Sequence, residues 1–279
     1  MYPCYKLTRK FIYLTFASLA LSLPLGAQSA APPELLNQLI ANADQYRATL
    51  PSLTADETIL SEASYRGMFK DKVESRGTFR AVRGAPGEPL KESREITVSN
   101  GKPLEPGKQV KLPFALFGGF GRFQEMFFTP KNIHCFAFNL LPEPGPGGTI
   151  QISISVPSEL EGQSDCAKSR AGLTGLVRVD AATHQLVHLE RTVPDTPATR
   201  RSAPFASVDC APTKVGDETY WLPTVVTGGS ANRAIRGQFV AHYSNYHRYA
   251  ASITLLPGAI EVDNPEPAEP VVPPTSTPR

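Results

Sequence analysis

The chain has 279 residues, with 28 Lys and Arg against 26 Asp and Glu. Removing Lys6, Arg9 and Lys10, which lie in a leader, from the 28 leaves 25 basic side chains, one fewer than the acidic ones. That balance excludes recruitment by charge to a nucleic acid or an anionic membrane surface.

Residues 1–29 read as a secretory signal peptide. Lys6, Arg9 and Lys10 form a basic start, Phe11 to Leu25 is apolar, and Ala27 and Ser29 offer small residues for cleavage. The competing reading is a membrane anchor, but the apolar run falls short of the ~20 residues a spanning helix needs. Cys4 precedes the apolar run, so it is not the acylated cysteine of a lipoprotein leader. The expected destination is the periplasm or the exterior, with no membrane span after cleavage.

After Pro32-Pro33, Leu36, Leu39, Ile40, Ala43, Arg47 and Leu50 recur at three- and four-residue steps, and Pro51 follows. This predicts one amphipathic helix that packs on a sheet. Thr58 to Tyr65, Arg76 to Val82 and Lys91 to Val98 read as strands, with Asn100-Gly101 as a tight turn. Their exposed positions are rich in Arg, Lys and Glu, as expected for a solvated sheet face.

Leu112 to Phe128 holds Phe114, Phe117, Phe120, Phe123, Phe127 and Phe128, interrupted by Gly118, Gly119 and Gly121. Phe120, Phe123 and Phe127 have helical spacing, so a short helix after the glycines is expected. Rings of this size must sit inside something or against a ligand. Two readings stay open: a plug that closes one end of the core, or a glycine-hinged lid over an apolar cavity.

Ile133 to Phe138 and Ile150 to Val156 read as strands, and Glu159 to Arg170 as a polar loop carrying Cys166. From Leu173 onwards the chain becomes a run of strands. Leu176 to Val179 and Leu186 to Glu190 flank the polar connection Asp180 to His184, a hairpin pattern. Phe205 to Ala211 is expected to stop at Pro212. Thr219 to Val226 carries Pro223, which marks an edge, a bulge or an end of pairing. Ala234 to Tyr243 continues through Tyr246 and Tyr249. Residues 257–279 are Pro-rich and read as a disordered tail. Residues 30–256 then form a single β-rich domain.

Cys135, Cys166 and Cys210 remain after cleavage. In an exported protein a pair oxidises, and Cys135 with Cys166 ties the polar loop to a neighbouring strand, leaving Cys210 as a buried thiol. No metalloprotease, nucleophile-elbow or phosphate-loop pattern occurs. A Ser207, Asp209 and His242 relay can be drawn only by selection after the fact, and His184/His188 and His242/His247 lack metal-ligand spacing. No cofactor, metal or catalytic residue is assigned, and the chain is read as not an enzyme.

Gly175-Leu176-Val177-Arg178-Val179-Asp180, Leu189-Glu190-Arg191, Tyr220-Trp221-Leu222-Pro223 and Tyr243-Ser244-Asn245-Tyr246-His247-Arg248-Tyr249 carry a resemblance. With one helix before many long strands, the chain resembles the LolA/LolB-like periplasmic lipoprotein-carrier superfamily and a group of exported bacterial proteins. The resemblance implies an α+β, mostly antiparallel fold: an open, strongly curved β half-barrel packed on the N-terminal helix and a short Phe-rich helix or lid. It also implies an apolar cavity for a lipid or a lipoprotein acyl chain. Phe114, Phe117, Phe120, Phe123 and Phe127 are the expected ligand-binding residues. The alternatives are an interaction module of an envelope assembly, with Tyr243 to Tyr249 or the tail as contact to a partner protein, and a hydrolase with a hidden site.

Overall fold

The computed structural model describes residues 29–66, 69–84, 90–105, 107–115, 123–124, 127–160, 166, 173–193, 205–231 and 235–249. The residues before Ser29, expected to form a leader, and the Pro-rich residues 257–279 lie outside these residues. In chain order the elements are β1 Ser29–Ala30, α1 Pro33–Thr49, β2 Leu53–Tyr65, β3 Phe69–Val82, β4 Lys91–Ser99 and β5 Lys102–Pro103. They continue as β6 Ala137–Leu140, β7 Ile150–Ser155, β8 Thr174–Val179, β9 Leu186–Thr192, β10 Phe205–Val215, β11 Glu218–Ala231 and β12 Ile235–Arg248.

Among the described residues, twelve strands form one sheet in the order β1-β6-β7-β8-β9-β10-β11-β12-β2-β3-β4-β5. Every pairing is antiparallel. Two meanders, β6 to β12 and β2 to β5, are thus joined by the β12–β2 ladder, which runs from Ile235 opposite Tyr65 to Arg248 opposite Leu53.

Strand alternation decides which face is buried. On β2 the buried set is Leu53, Ala55, Glu57, Ile59 and Ser61. Its cross-strand partners include Ala81 and Phe79 on β3 and Tyr243, Ala241 and Phe239 on β12, all buried. The same face continues through Val226, Val208, Leu189, Val177 and Ile152. Laid flat, twelve strands would span roughly 50 Å at their usual spacing. The 17-residue α1 is about 25 Å long and cannot cover such a width. Burial along one face of these eight strands therefore requires the sheet to curve around its cover.

Helix α1 begins at Pro33, where a missing N–H costs nothing, and its last turn closes with the Leu50 N–H on the Tyr46 carbonyl. Leu35, Leu39, Asn42, Ala43 and Tyr46 form its buried stripe, with Leu36 and Ile40 packed at the margin. Hydrogen bonds fix it across one end of the sheet. Asn42 Nδ2 donates to the His184 carbonyl in the β8–β9 turn (2.9 Å), the Tyr220 hydroxyl donates to the Thr49 carbonyl (3.0 Å), and Arg83 Nε donates to the Leu50 carbonyl (2.8 Å).

Local chemistry explains the turns. Asn100 and Gly101 both have positive φ, +48° and +75°, as a two-residue hairpin turn requires. Asp180 Oδ1 accepts from the Ala182 and Thr183 N–H groups and organises the β8–β9 turn. Opposite Pro223, the β10–β11 register shifts between Asp209 and Cys210, so Pro223 sits at a bulge.

Two sequence expectations need correction. Pro212 does not stop its strand: β10 continues to Val215, with Pro212 opposite Trp221. Beyond Asp209, β10 is paired with β11 alone, and on the side without a ladder a missing N–H forfeits nothing. The strand expected over Ile133 to Phe138 is a 3₁₀ turn at Ile133–Cys135, and β6 starts only at Ala137.

Candidate functional site

The two described ends of the phenylalanine-rich segment, around Phe114 and at Phe123, Phe127 and Phe128, both meet the concave face or its cover. Near its start, the Ser61 hydroxyl accepts from the Phe114 N–H (3.0 Å) and donates to the Phe114 carbonyl (2.5 Å). The Phe114 ring lies on β12 at Gly237, where a Cβ would come within 2.2 Å of the ring carbon Cδ2. Farther on, Phe123 meets Tyr46 of α1 edge-on at 6.2 Å. Phe127 packs on Phe136 (4.9 Å) and Phe128 on Phe138 of β6 (5.8 Å). The segment therefore starts against β2 and β12 and ends beside β6, several strands away.

Of the expected ligand-binding residues, Phe114 is partly buried and Phe123 and Phe127 are 2% and 0% exposed. Phe117 and Phe120 lie outside the described residues, as does most of the short helix expected after the glycines. Phe128, Phe136 and Phe138 join the same aromatic cluster.

The concave face also holds a charged group. Glu57 Oε1 accepts from Arg94 Nε (2.7 Å) and from the Tyr243 hydroxyl (2.5 Å), and Arg94 Nη2 donates to that hydroxyl (3.3 Å). The Glu57 and Arg94 side chains are 2% and 16% exposed. The guanidinium lies over the rings of Phe79 and Phe239, 5.7 and 5.8 Å from their centroids, a cation–π arrangement. Burial alone pulls the Arg94 pKa down, but Glu57 and Tyr243 outweigh it and the net shift is upward. By charge alone, the Arg94 side chain on β4 would belong to the solvated face. Its parity with Ile96 and its position opposite Phe79 place it inside instead.

Burial, then nearby negative groups, pushes the Tyr243 and Tyr246 pKa values well above the ordinary 10.0. Their folded-state values exceed the unfolded ones, so the stability from neutral phenols is fully present below pH 10.0 and is lost as pH climbs beyond it. Alkaline titration is expected to show tyrosinate absorbance from these two rings only together with loss of the folded circular dichroism signal. A separate, earlier ionisation of both would contradict their burial. Their burial, 4% and 7% exposed, also removes them from the contact surface expected over Tyr243 to Tyr249.

The convex face carries a different polar group. Arg178, His188 and Asp209 sit side by side on β8, β9 and β10. His188 Nδ1 lies 2.6 Å from Asp209 Oδ1, while Arg178 Nη2 and Glu190 are more distant ion partners, each at 3.7 Å. Asp209 is separated from His242 by Val225 on the intervening strand. The drawn Ser207–Asp209–His242 relay is thus not assembled.

Cys135 and Cys166 form the expected disulfide, and Cys210 is a buried thiol. Burial, then Asp209, pushes the Cys210 pKa up, away from the reactive thiolate. His134 lies beside the disulfide and completes a three-residue group of metal-ligand type, but both sulfurs are bonded to each other. Among the described residues no helix is long and apolar enough to cross a membrane.

No protein-family model matches the chain, and no curated protein matches it. Among solved structures, it is similar to a LolA superfamily protein from Nitrosomonas europaea, with 11% identity and a TM-score of 0.34 over 78% of this chain and 94% of that one. It is also similar to a putative outer membrane lipoprotein-sorting protein domain from Vibrio parahaemolyticus, with 14% identity and a TM-score of 0.37 over 76% and 92% of the two chains. A DUF1329 family protein from Desulfovibrio piger shows 10% identity and a TM-score of 0.38 over 80% and 95%.

Proposed function

We propose that this protein is a non-enzymatic, exported binder that holds an apolar guest, a lipid or a protein-borne acyl chain, in the hollow of a β half-barrel. Its compartment is the periplasm or the exterior. The single observation behind this reading is how the phenylalanine-rich segment meets the sheet. Phe114 rests on a glycine and one serine hydroxyl, so the cover is a separate layer on the concave face. A guest that parts the two layers meets aromatic rings on one side and apolar strand residues on the other. Each buried CH₂ would favour binding by about 0.8 kcal/mol before costs. Phe114, Phe117, Phe120, Phe123 and Phe127 are the residues assigned to the guest.

Native mass spectrometry of protein purified from its own host, followed by solvent extraction, is expected to release a lipid. Delipidated protein is expected to take up an apolar fluorescent dye saturably. Protein that never carries lipid and never takes up dye overturns the reading.

Gly237→Val tests the layer itself. The added side chain displaces the Phe114 ring, which is expected to lower stability by about 1–3 kcal/mol. Dye uptake is expected to rise, because the cover now parts more readily. Unchanged melting and unchanged uptake would show that Phe114 does not hold the cover down.

A further inference from the structure

The two margins of the sheet are finished differently. At one, β1 and the Ala31 N–H cover β6. At the other, β5 pairs with Val98 and Ser99 of β4, and the Leu104 N–H closes on the Thr97 carbonyl. Over Lys91–Ile96, β4 pairs with β3 on one side and, among the described residues, with no strand on the other. A strand margin of that length is a template for another ribbon.

The side chains of this margin select the ribbon. The run Leu90-Lys91-Glu92-Ser93-Arg94-Glu95-Ile96 is complementary to its own reverse. With a second copy set antiparallel about a two-fold axis through Ser93, Lys91 of one copy faces Glu95 of the other, and Leu90 faces Ile96. Symmetry makes each pair twice. Lys91, Ser93 and Glu95 are exposed on the convex face, so the pairs match in face as well as in charge. Leu90 and Ile96 are half-buried on the other side, where Glu92 and Arg94 also meet with opposite signs. The Glu95 side chain stays 58% exposed while Arg80 holds its Oε2, so its carboxylate is both fixed and accessible. Charges commonly guard an edge against pairing, but a copy arriving in this register meets neither like signs nor a mismatched face. The neighbouring face-matched registers are disfavoured, since they set Glu92 against Glu92 or Arg94 against Arg94.

We infer that β4 pairs with β4 of a second copy of this chain, antiparallel and centred on Ser93, so that two sheets join edge to edge in a two-fold dimer. The contact does not use the hollow and stands apart from the apolar guest. A single strand margin is at the small end of specific interfaces, so dissociation at about 1–100 μM is expected. Sedimentation velocity of the purified protein across that range is expected to show a reversible monomer–dimer equilibrium. Lys91→Glu sets like charges opposite each other twice and is expected to weaken the dimer about tenfold. Lys91→Glu/Glu95→Lys restores opposite signs and is expected to recover it. Under mild oxidation, Ser93→Cys is expected to cross-link the dimer, because the two positions face each other at ~5 Å between Cβ atoms. Lys91→Cys is expected not to, because its two positions lie roughly 13 Å apart along the strands. Circular dichroism checks that each variant is folded. Protein that stays monomeric throughout overturns the inference. So does a dimer that ignores the Lys91→Glu reversal, one that Ser93→Cys fails to cross-link, or one that both cysteines cross-link equally, since each places the contact elsewhere.

Discussion

Glu57→Ala is expected to destabilise the protein by about 3–5 kcal/mol, because it leaves a buried guanidinium without the carboxylate that faces it. The Arg94 side chain is 16% exposed and Glu57 is 2% exposed, so solvent is poorly placed to substitute. The Tyr243 hydroxyl loses the same acceptor. Urea denaturation midpoints measure the loss. Removing the whole group should behave differently. Glu57→Leu with Arg94→Met and Tyr243→Phe deletes the charges together and fills the space with apolar atoms, so it is expected to recover most of the stability. If Glu57→Ala costs under ~1 kcal/mol, the pair is behaving as a surface ion pair and the description of a buried charge is wrong.

Loss of the Cys135–Cys166 bridge is the second large effect. The cysteines are 31 residues apart; in the chain-entropy account, closing a loop of that size contributes about 3–4 kcal/mol through the unfolded state. Cys135→Ser/Cys166→Ser is therefore expected to lower the melting temperature by roughly 10 °C. Both sulfurs are buried, at 0% and 2% exposure, so reductant should act on the folded protein only slowly. Cys210 supplies an internal control. Its thiol is expected to ignore an aromatic disulfide reagent in the folded state and to react at once in denaturant. Rapid labelling of Cys210 without unfolding would contradict its position in the core.

These effects separate what alternation reveals from what it hides. The strands from Leu176 onwards were legible because β-branched and other apolar residues recur between turn signals, with alternation over parts of each run. An irregularity at Pro223, whether an edge, a bulge or an end of pairing, was legible because proline cannot donate to a ladder. Pro212 misled because its cost depends on whether a neighbour is paired on that side, which is a property of the sheet and not of the strand. Arg94 misled more deeply. Charge alone assigns it to water, whereas its parity with Ile96 assigns it to the interior. The Glu57 carboxylate and the Tyr243 hydroxyl, both from other strands, reconcile the two. The disulfide could be drawn from the loop that joins its cysteines. The side on which each phenylalanine falls could not, because Gly118, Gly119 and Gly121 erase periodicity in that part of the sequence.

The seam between the two meanders has a consequence for how the molecule comes to exist. β2 is among the first strands to be synthesised and β12 is the last, yet Ile59 faces Ala241 in the middle of the sheet. Until the final ribbon arrives, each half ends in a long unpaired border prone to adhere to other chains. Such far-apart pairing makes for slow folding, and an unfinished chain has no seam to close. A polypeptide threaded through a translocation pore must stay unfolded until its end emerges. On the proposed export route, this order of assembly would place commitment to structure at the moment of release on the far side.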